Sequence, residues 1–324
     1  MKIVVGDPNL VPHRDRLKAA LPPGSTVHWH DPSSPGLLDD LSDADVFVGG
    51  RFTAEMAAAA ENLRLVHAGG AGTDKIASEA LASDVLVANT FHHQQSIAEY
   101  VLAAAVLLRR GFLEQDWALR ERIWATSVYD RSIPQPKSLR GARVGFVGFG
   151  HIGRRCWELF RAFGCTGAAV TGSGRVDAAV EGLSWAAGVG ELDRLMADSE
   201  VVVVSAPLTE RTVGMIGMAQ LRALGPQGVL INVGRGPLVV EGALYEALSA
   251  RAIAAAAIDV WYRYPGTDGT AAPSELPFDK LPNVLMTPHS SGVTENTFVG
   301  RVDDIAANIG RLSRGEPLKN LVPR

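Results

Sequence analysis

The chain has 324 residues, 47% of them hydrophobic and 20% charged, with a formal net charge of −4. This is the composition of a globular protein with room for two cores, because a single core stops growing at roughly 250 residues. It excludes a general nucleic-acid binder, which needs a basic stripe to displace counterions. With only two cysteines it also excludes a disulfide scaffold and points to a reducing, cytoplasmic setting.

At the N-terminus, "MKIVVGDPNL" reads as a first strand and a turn, because its short apolar run ends in Gly-Asp-Pro. Up to Val87 the β-branched runs "KIVV", "DVFVGG", "LRLVHAG" and "VLVANT" alternate with helical spacing, the rhythm of βαβ units in a parallel sheet. The stretch "SIAEYVLAAAVLLRRGFLEQDWALRERIW" predicts a long helix and a second one after Gly111. Its apolar part carries Glu99 and falls short of the ~20 residues of a membrane span, so no membrane partner is expected. "SVYDRSIPQPKSLRG" reads as an extended arm. A second strand series follows in "ARVGFVGFGHIG", "GAAVTGS", "EVVVVSAPL", "GVLINVGRG", "AIAAAAIDV" and "NVLMTPHS", and "TENTFVGRVDDIAANIGRLSRGE" predicts a closing amphipathic helix. The expected fold is α/β, with two doubly wound parallel-sheet domains.

Gly148, Gly150 and Gly153 come directly after an apolar strand and open an amphipathic helix, with His151 and Ile152 between them. In that context the first glycine permits a tight turn, the second lets backbone approach a pyrophosphate, and the third lets the helix pack on the sheet. The next strand normally ends in an acid that binds the adenine ribose. Here it reads "AVTGSGR", without a carboxylate. Thr171, Ser173 and Arg175 suit a 2′-phosphate, which favours NADP over NAD; with Arg175 solvated, NAD held by backbone is the alternative.

In this order and spacing, "GFGHIG", "SAPLTERTVGMI", "NVGRGPLVVEGALYEAL", "AIDVW" and "TPHSSG" resemble the D-isomer-specific 2-hydroxyacid dehydrogenase family, which includes phosphoglycerate, glyoxylate, formate and phosphite dehydrogenases. "HAGGAGTDKI", "NTFHHQQSIAEYVLAAAV" and "RGEPLKNLV" extend the resemblance over most of the chain. It implies a Rossmann cofactor domain, 96–292, inserted in a discontinuous flavodoxin-like substrate domain, 1–95 and 293–324. It also implies a hinged cleft and a homodimer built on the helix after Ser96 and the arm.

The implied chemistry is hydride transfer between a nicotinamide and a small anionic 2-oxo or 2-hydroxy acid, without a metal. Arg235 is implied to grip the substrate carboxylate and polarise its C2 oxygen, a task suited to a permanently charged fork of donors. The backbone N–H groups of Ala71 and Gly72 are implied as further carboxylate holders, with Arg51 and Lys75 adding charge at the mouth. His289 is implied as the general acid and base. Asp259 is implied to orient the nicotinamide carboxamide. Ala206, Pro207, Val233, Gly234 and Gly292 are implied as cofactor contacts through backbone, with Thr212 beside them.

One position departs from the family pattern. Five residues past the aspartate, before proline, members usually carry the glutamate that partners the histidine; here Tyr264 precedes Pro265. A tyrosine is neutral near pH 7, so the imidazolium loses a stabilising charge and the pH optimum of reduction is expected to lie lower than in a glutamate-bearing relative. Formate dehydrogenases resemble this fold without that glutamate, so its loss is compatible with hydride transfer. The aromatic "WYRYP" suggests altered substrate recognition, such as a phosphonate analogue of a 2-hydroxy acid. A noncatalytic dinucleotide-binding sensor or scaffold is the competing reading: Tyr264 speaks for it, Arg235 and His289 against it.

Overall fold

The computed structural model describes residues 1–266 and 269–323, and the chain divides into two compact units, Met1–His93 with Val293–Arg324, and Gln94–Gly292. The first unit holds five strands, β1 (Lys2–Val5), β2 (Thr26–Trp29), β3 (Val46–Val48), β4 (Leu65–His67) and β5 (Leu86–Ala88), in the order β2-β1-β3-β4-β5. All neighbours run parallel. This is the flavodoxin-like order, which reverses direction between β1 and β3 and opens a crevice there at the carboxyl ends of the strands. One face of the sheet is covered by the helix Glu295–Ser313, whose Val302, Ile305 and Ile309 are fully buried with Ile3, Val46 and Leu65. Phe47, Phe52 and Val66 fill the other face. The edge strand β2 carries no buried residue, so its sequence "TVHW" gives no apolar run to read.

The second unit holds seven strands, β6 (Arg143–Val147), β7 (Thr166–Thr171), β8 (Trp185–Gly188), β9 (Val201–Val204), β10 (Val229–Asn232), β11 (Ala255–Ile258) and β12 (Val284–Met286). Their order is β12-β11-β10-β9-β6-β7-β8, again all parallel. Counted from β6, this is the 3-2-1-4-5-6 order of dinucleotide-binding sheets with one strand added. The central strands are buried on both faces, which is why β9 is a run of four valines rather than an alternating pattern. The helices Gln94–Arg109 and His151–Ala162 pack on one face, where Phe146 meets Trp157 and Phe160 edge to face, each at 6.2 Å between ring centroids.

Candidate active site

At the switch point of the larger sheet a cleft of about 910 Å³ lies over the carboxyl ends of β6, β7 and β9. Its floor is the glycine turn. Gly148 has φ +91°, a left-handed conformation, and a Cβ there would sit 2.7 Å from the backbone nitrogen of Ala206, so both the turn and the approach of the two loops require glycine. A Cβ on Gly150 would meet no protein atom within 4 Å, which leaves this side of the turn open to a ligand. The helix His151–Ala162 starts here, directly after Gly150, and the N-terminus of a helix is a ready anion site. The residues present therefore fit a dinucleotide pyrophosphate.

Thr171, Ser173 and Arg175 form one wall of the cleft, and Ala206, Pro207 and Thr212 the other. The Thr171 hydroxyl accepts the N–H of Gly174 at 3.0 Å, and Ser173 Oγ accepts the N–H of Arg175 at 3.4 Å. Each hydroxyl keeps its own proton to donate. Thr212 is tied internally, donating to the carbonyl of Pro207 at 2.8 Å. Two guanidinium residues that the sequence did not single out, Arg154 and Arg211, also line the cleft. Arg154 is held by Glu181 at 2.8 Å and lies over the ring of Phe149, whereas Arg211 is exposed.

His151, Ile152 and Gly153 do not line this cleft. His151 is exposed at the helix start, Ile152 packs against the core, and Gly153 is buried, its Cβ position 2.7 Å from the carbonyl oxygen of Gly148. Their part is to set the helix in place. Val233 and Gly234 are buried beneath the same edge, and Gly292 is half-buried.

Arg235, Asp259 and His289 follow the carboxyl ends of β10, β11 and β12, three adjacent parallel strands with the usual spacing of ~4.8 Å. Half-buried Arg235 is extended (φ −144°, ψ 145°) and caps a short 3₁₀ turn, Gly236–Leu238. The buried Asn232 clamps it: the Asn232 amide donates to the carbonyl of Arg235 at 3.0 Å and accepts the N–H of Gly234 at 3.1 Å. One guanidinium nitrogen donates to the carbonyl of Gly234 at 2.9 Å. A Cβ on Gly236 would fall 2.4 Å from the carbonyl oxygen of Trp261, so the turn bearing Arg235 packs directly against the loop that follows Asp259.

Asp259, which the resemblance implies as a nicotinamide contact, has its partners within the chain. It has no accessible surface, and its carboxylate accepts from Thr287 Oγ1 at 2.6 Å, from Ser290 N at 2.9 Å, from Ser291 N at 3.1 Å and from Ser291 Oγ. It braces the loop that carries His289, which Trp261 holds a second time by donating its indole N–H to the carbonyl of Thr287 at 2.8 Å. Thr287 Oγ1 is also 3.0 Å from the hydroxyl of Tyr100, which burial pushes up to about 12. So braced, exposed His289 holds a left-handed backbone, φ 56°, unusual away from glycine and characteristic of functional loops.

Tyr264 lies beside this histidine, with ring centroids 5.7 Å apart and planes tilted by 53°. Its hydroxyl accepts the backbone N–H of Trp261 at 3.2 Å. The tyrosine thus meets the imidazole ring to ring, not as a copy of a carboxylate.

In the first unit, Arg51 follows β3, and Ala71 and Gly72 follow β4, all at the carboxyl edge of that sheet. The carbonyls of Gly70 and Ala71 are taken by Thr90 N at 3.3 Å and Asn89 Nδ2 at 2.9 Å. Among the described residues, the N–H groups of Gly70, Ala71 and Gly72 have no protein acceptor.

Residues 102–291 match the family model described as D-isomer specific 2-hydroxyacid dehydrogenase, NAD binding domain. The chain belongs to the D-isomer-specific 2-hydroxyacid dehydrogenase family. It is 28% identical over 327 residues to a D-3-phosphoglycerate dehydrogenase of Methanocaldococcus jannaschii, covering 99% of this chain but 59% of that protein. To a glyoxylate reductase of Korarchaeum cryptofilum it is 30% identical over 303 residues, covering 91% and 88% of the two chains. The chain therefore spans only part of the phosphoglycerate dehydrogenases it matches and most of the reductase. The fold is shared with an NAD-complexed D-isomer specific 2-hydroxyacid dehydrogenase from Lactobacillus delbrueckii ssp. bulgaricus (TM-score 0.81, 23% identity, 100% of both chains). It is shared equally with an acyclic imino acid reductase solved with NADPH and D-Arg (TM-score 0.82, 22% identity, 100% of both chains). Among the described residues of this family member, no helix is long and apolar enough to cross a membrane, and no cluster of metal-ligating side chains occurs.

Proposed function

We propose that this chain is an NAD(P)-dependent D-2-hydroxyacid dehydrogenase, working as a reductase of a small 2-oxo acid or of a related anion such as a phosphonate. The observation that carries this reading is the carboxyl edge of the larger sheet, where an open glycine turn after β6 is followed by the loops bearing Arg235 and His289 at the ends of β10 and β12, the two strands that flank β11. A bound nicotinamide would supply the hydride. Arg235 engages the substrate carboxylate and the C2 oxygen, stabilising the negative charge that grows there. His289 delivers the proton to that oxygen and takes it back in oxidation. Arg51 and the N–H groups of Ala71 and Gly72 are carried over from the family resemblance as further carboxylate holders. A catalytically silent sensor is the weaker reading, since the relatives named above are dehydrogenases and reductases. Incubation with NADPH or NADH and glyoxylate, pyruvate or hydroxypyruvate tests it; cofactor binding without turnover of any of them would support the sensor.

For the cofactor we favour NADP. The walls of the cleft carry hydroxyl donors at Thr171 and Ser173 and guanidinium groups at Arg175 and Arg211, and β7 ends without a carboxylate to repel a 2′-phosphate. Fluorescence titration should give NADPH a Kd at least ~10-fold below that of NADH, worth about 1.4 kcal/mol. Arg175→Glu should reverse the order, and equal constants in the unmodified protein would refute the preference.

Tyr264→Glu restores a carboxylate beside the imidazole, so it should raise the pKa that governs the proton donor. The limb of the pH–rate profile on which that donor titrates should move up by about one unit. Superimposable profiles would show that residue 264 does not govern the histidine.

A homodimer is favoured by the stretch from the helix Phe112–Arg120 into the arm, where Trp117, Ile123, Trp124, Val128 and Tyr129 are all more than half exposed. An apolar patch of that kind is usual for interfaces and costly on a monomer. Sedimentation velocity should give twice the chain mass, and a monomer at micromolar concentration would contradict it.

A further inference from the structure

Behind the turn at the end of β4 lies a charge that none of the roles above uses. Arg301 projects from the helix Glu295–Ser313, and Cζ and both terminal nitrogens of its guanidinium stand 3.6 Å from the Cβ position of Gly70. The group is half-buried. Its hydrogen-bond contacts are neutral: Nε donates to the carbonyl of Phe91 at 3.2 Å, and Nη2 is 3.3 Å from Nδ1 of His93. It also lies over the ring of Phe298, 5.2 Å from the centroid. Among the described residues Arg301 forms no ion pair, and Asp7 acts on it only through space. Burial disfavours its charged form, yet a guanidinium remains protonated in proteins. The fold thus keeps a cation with reduced solvation and no carboxylate in contact, pressed against a turn whose three successive N–H groups lack a protein acceptor. A half-buried charge without an ion pair is incompletely compensated, and a bound anion would add to its compensation.

We infer that Arg301 and the N–H groups of residues 70–72 together form an anion site in the first unit, which takes the carboxylate end of the substrate. Partial charges on three N–H groups orient a carboxylate; the guanidinium behind them adds a full charge in a poorly solvated place, where it is weakly screened. This inference rests on the dehydrogenase reading for the identity of the anion, but not for the existence of the site. As a ground-state binding element, Arg301 should govern KM and leave kcat nearly unchanged.

The test uses the full-length protein with Arg301→Gln and Arg301→Lys. Oxalate affinity is measured by calorimetry, and KM and kcat for the best 2-oxo acid by steady-state kinetics. Arg301→Gln should weaken oxalate at least ~10-fold and raise KM by a similar factor, with kcat and NADPH affinity within ~3-fold, while Arg301→Lys recovers most of the loss. Unchanged oxalate affinity in a folded Gln variant overturns the inference and leaves the dehydrogenase reading intact. Loss of oxalate binding in the Gln variant of a protein that turns over no 2-oxo acid supports the site and removes the reading. Near-UV circular dichroism reports folding, and if both variants unfold, Arg301 is a structural residue and the inference fails.

Discussion

Replacing Arg235 by lysine is expected to lower kcat/KM for 2-oxo acid reduction by about 10²–10³-fold and to leave NADPH affinity within about 3-fold. The side chain sits at the rim of β10 with one nitrogen committed to the carbonyl of Gly234, and Asn232 fixes the backbone on either side of it. The guanidinium fork is rigid and planar, suited to a carboxylate and the neighbouring oxygen at once. Lysine keeps the charge but offers a single flexible ammonium, so it retains electrostatic attraction and loses the two-point grip. KM should rise and kcat fall together, because the same nitrogens serve the ground state and the growing negative charge. A lysine variant within about 3-fold of the parent in kcat/KM would remove Arg235 from the chemistry.

Asp259→Ala should cost about 3 kcal/mol of stability and lower kcat roughly 100-fold, with NADPH affinity within about 3-fold. The substitution leaves the donors of Thr287, Ser290 and Ser291 without their acceptor at the base of the histidine loop. A buried donor left without its acceptor, as at Ser291, costs about 1–3 kcal/mol, while half-buried Thr287 and exposed Ser290 lose less because water reaches them. His289 then has less to hold it at φ 56°, and an imidazole displaced by even ~1 Å transfers its proton poorly. The cofactor constant is the discriminating readout. A large rise in the Kd of NADPH, with the melting temperature unchanged, would tie Asp259 to the nicotinamide and refute its bracing role.

These two residues mark where the sequence is informative and where it stops. The glycine turn was legible because its meaning is local: strand, turn and helix succeed one another within a dozen residues, and the φ of Gly148 follows from that succession. The valine run of β9 was legible for the same reason, since burial on both faces leaves nothing but apolar residues. The edge strands β2 and β8 were not, because "TVHW" and "WAAG" lie at sheet margins with no residue fully buried. Asp259 was legible as a residue, but its ties to the histidine loop were not. The order of motifs puts it at the end of β11, but whether its carboxylate turns outward or into the neighbouring loop depends on Ser290 and Ser291, some thirty residues further on. Arg154, Arg211 and Arg301 escaped notice for a related reason: each gains its meaning from a surface assembled by distant segments. Tyr264 was legible as a substitution, but the ring-to-ring approach to His289 is a matter of side-chain direction that the spacing does not contain.

The measurement that bears most directly on the paired roles of Arg235 and His289 is isotope transfer from NADPH deuterated at C4, with pyruvate and hydroxypyruvate as acceptors. The predicted result is a D-2-hydroxy acid carrying deuterium at C2, formed by the unmodified chain and strongly reduced in both Arg235→Lys and His289→Gln. NADPH that binds yet delivers no deuterium to either acceptor, an L product, or undiminished transfer in either variant would contradict it.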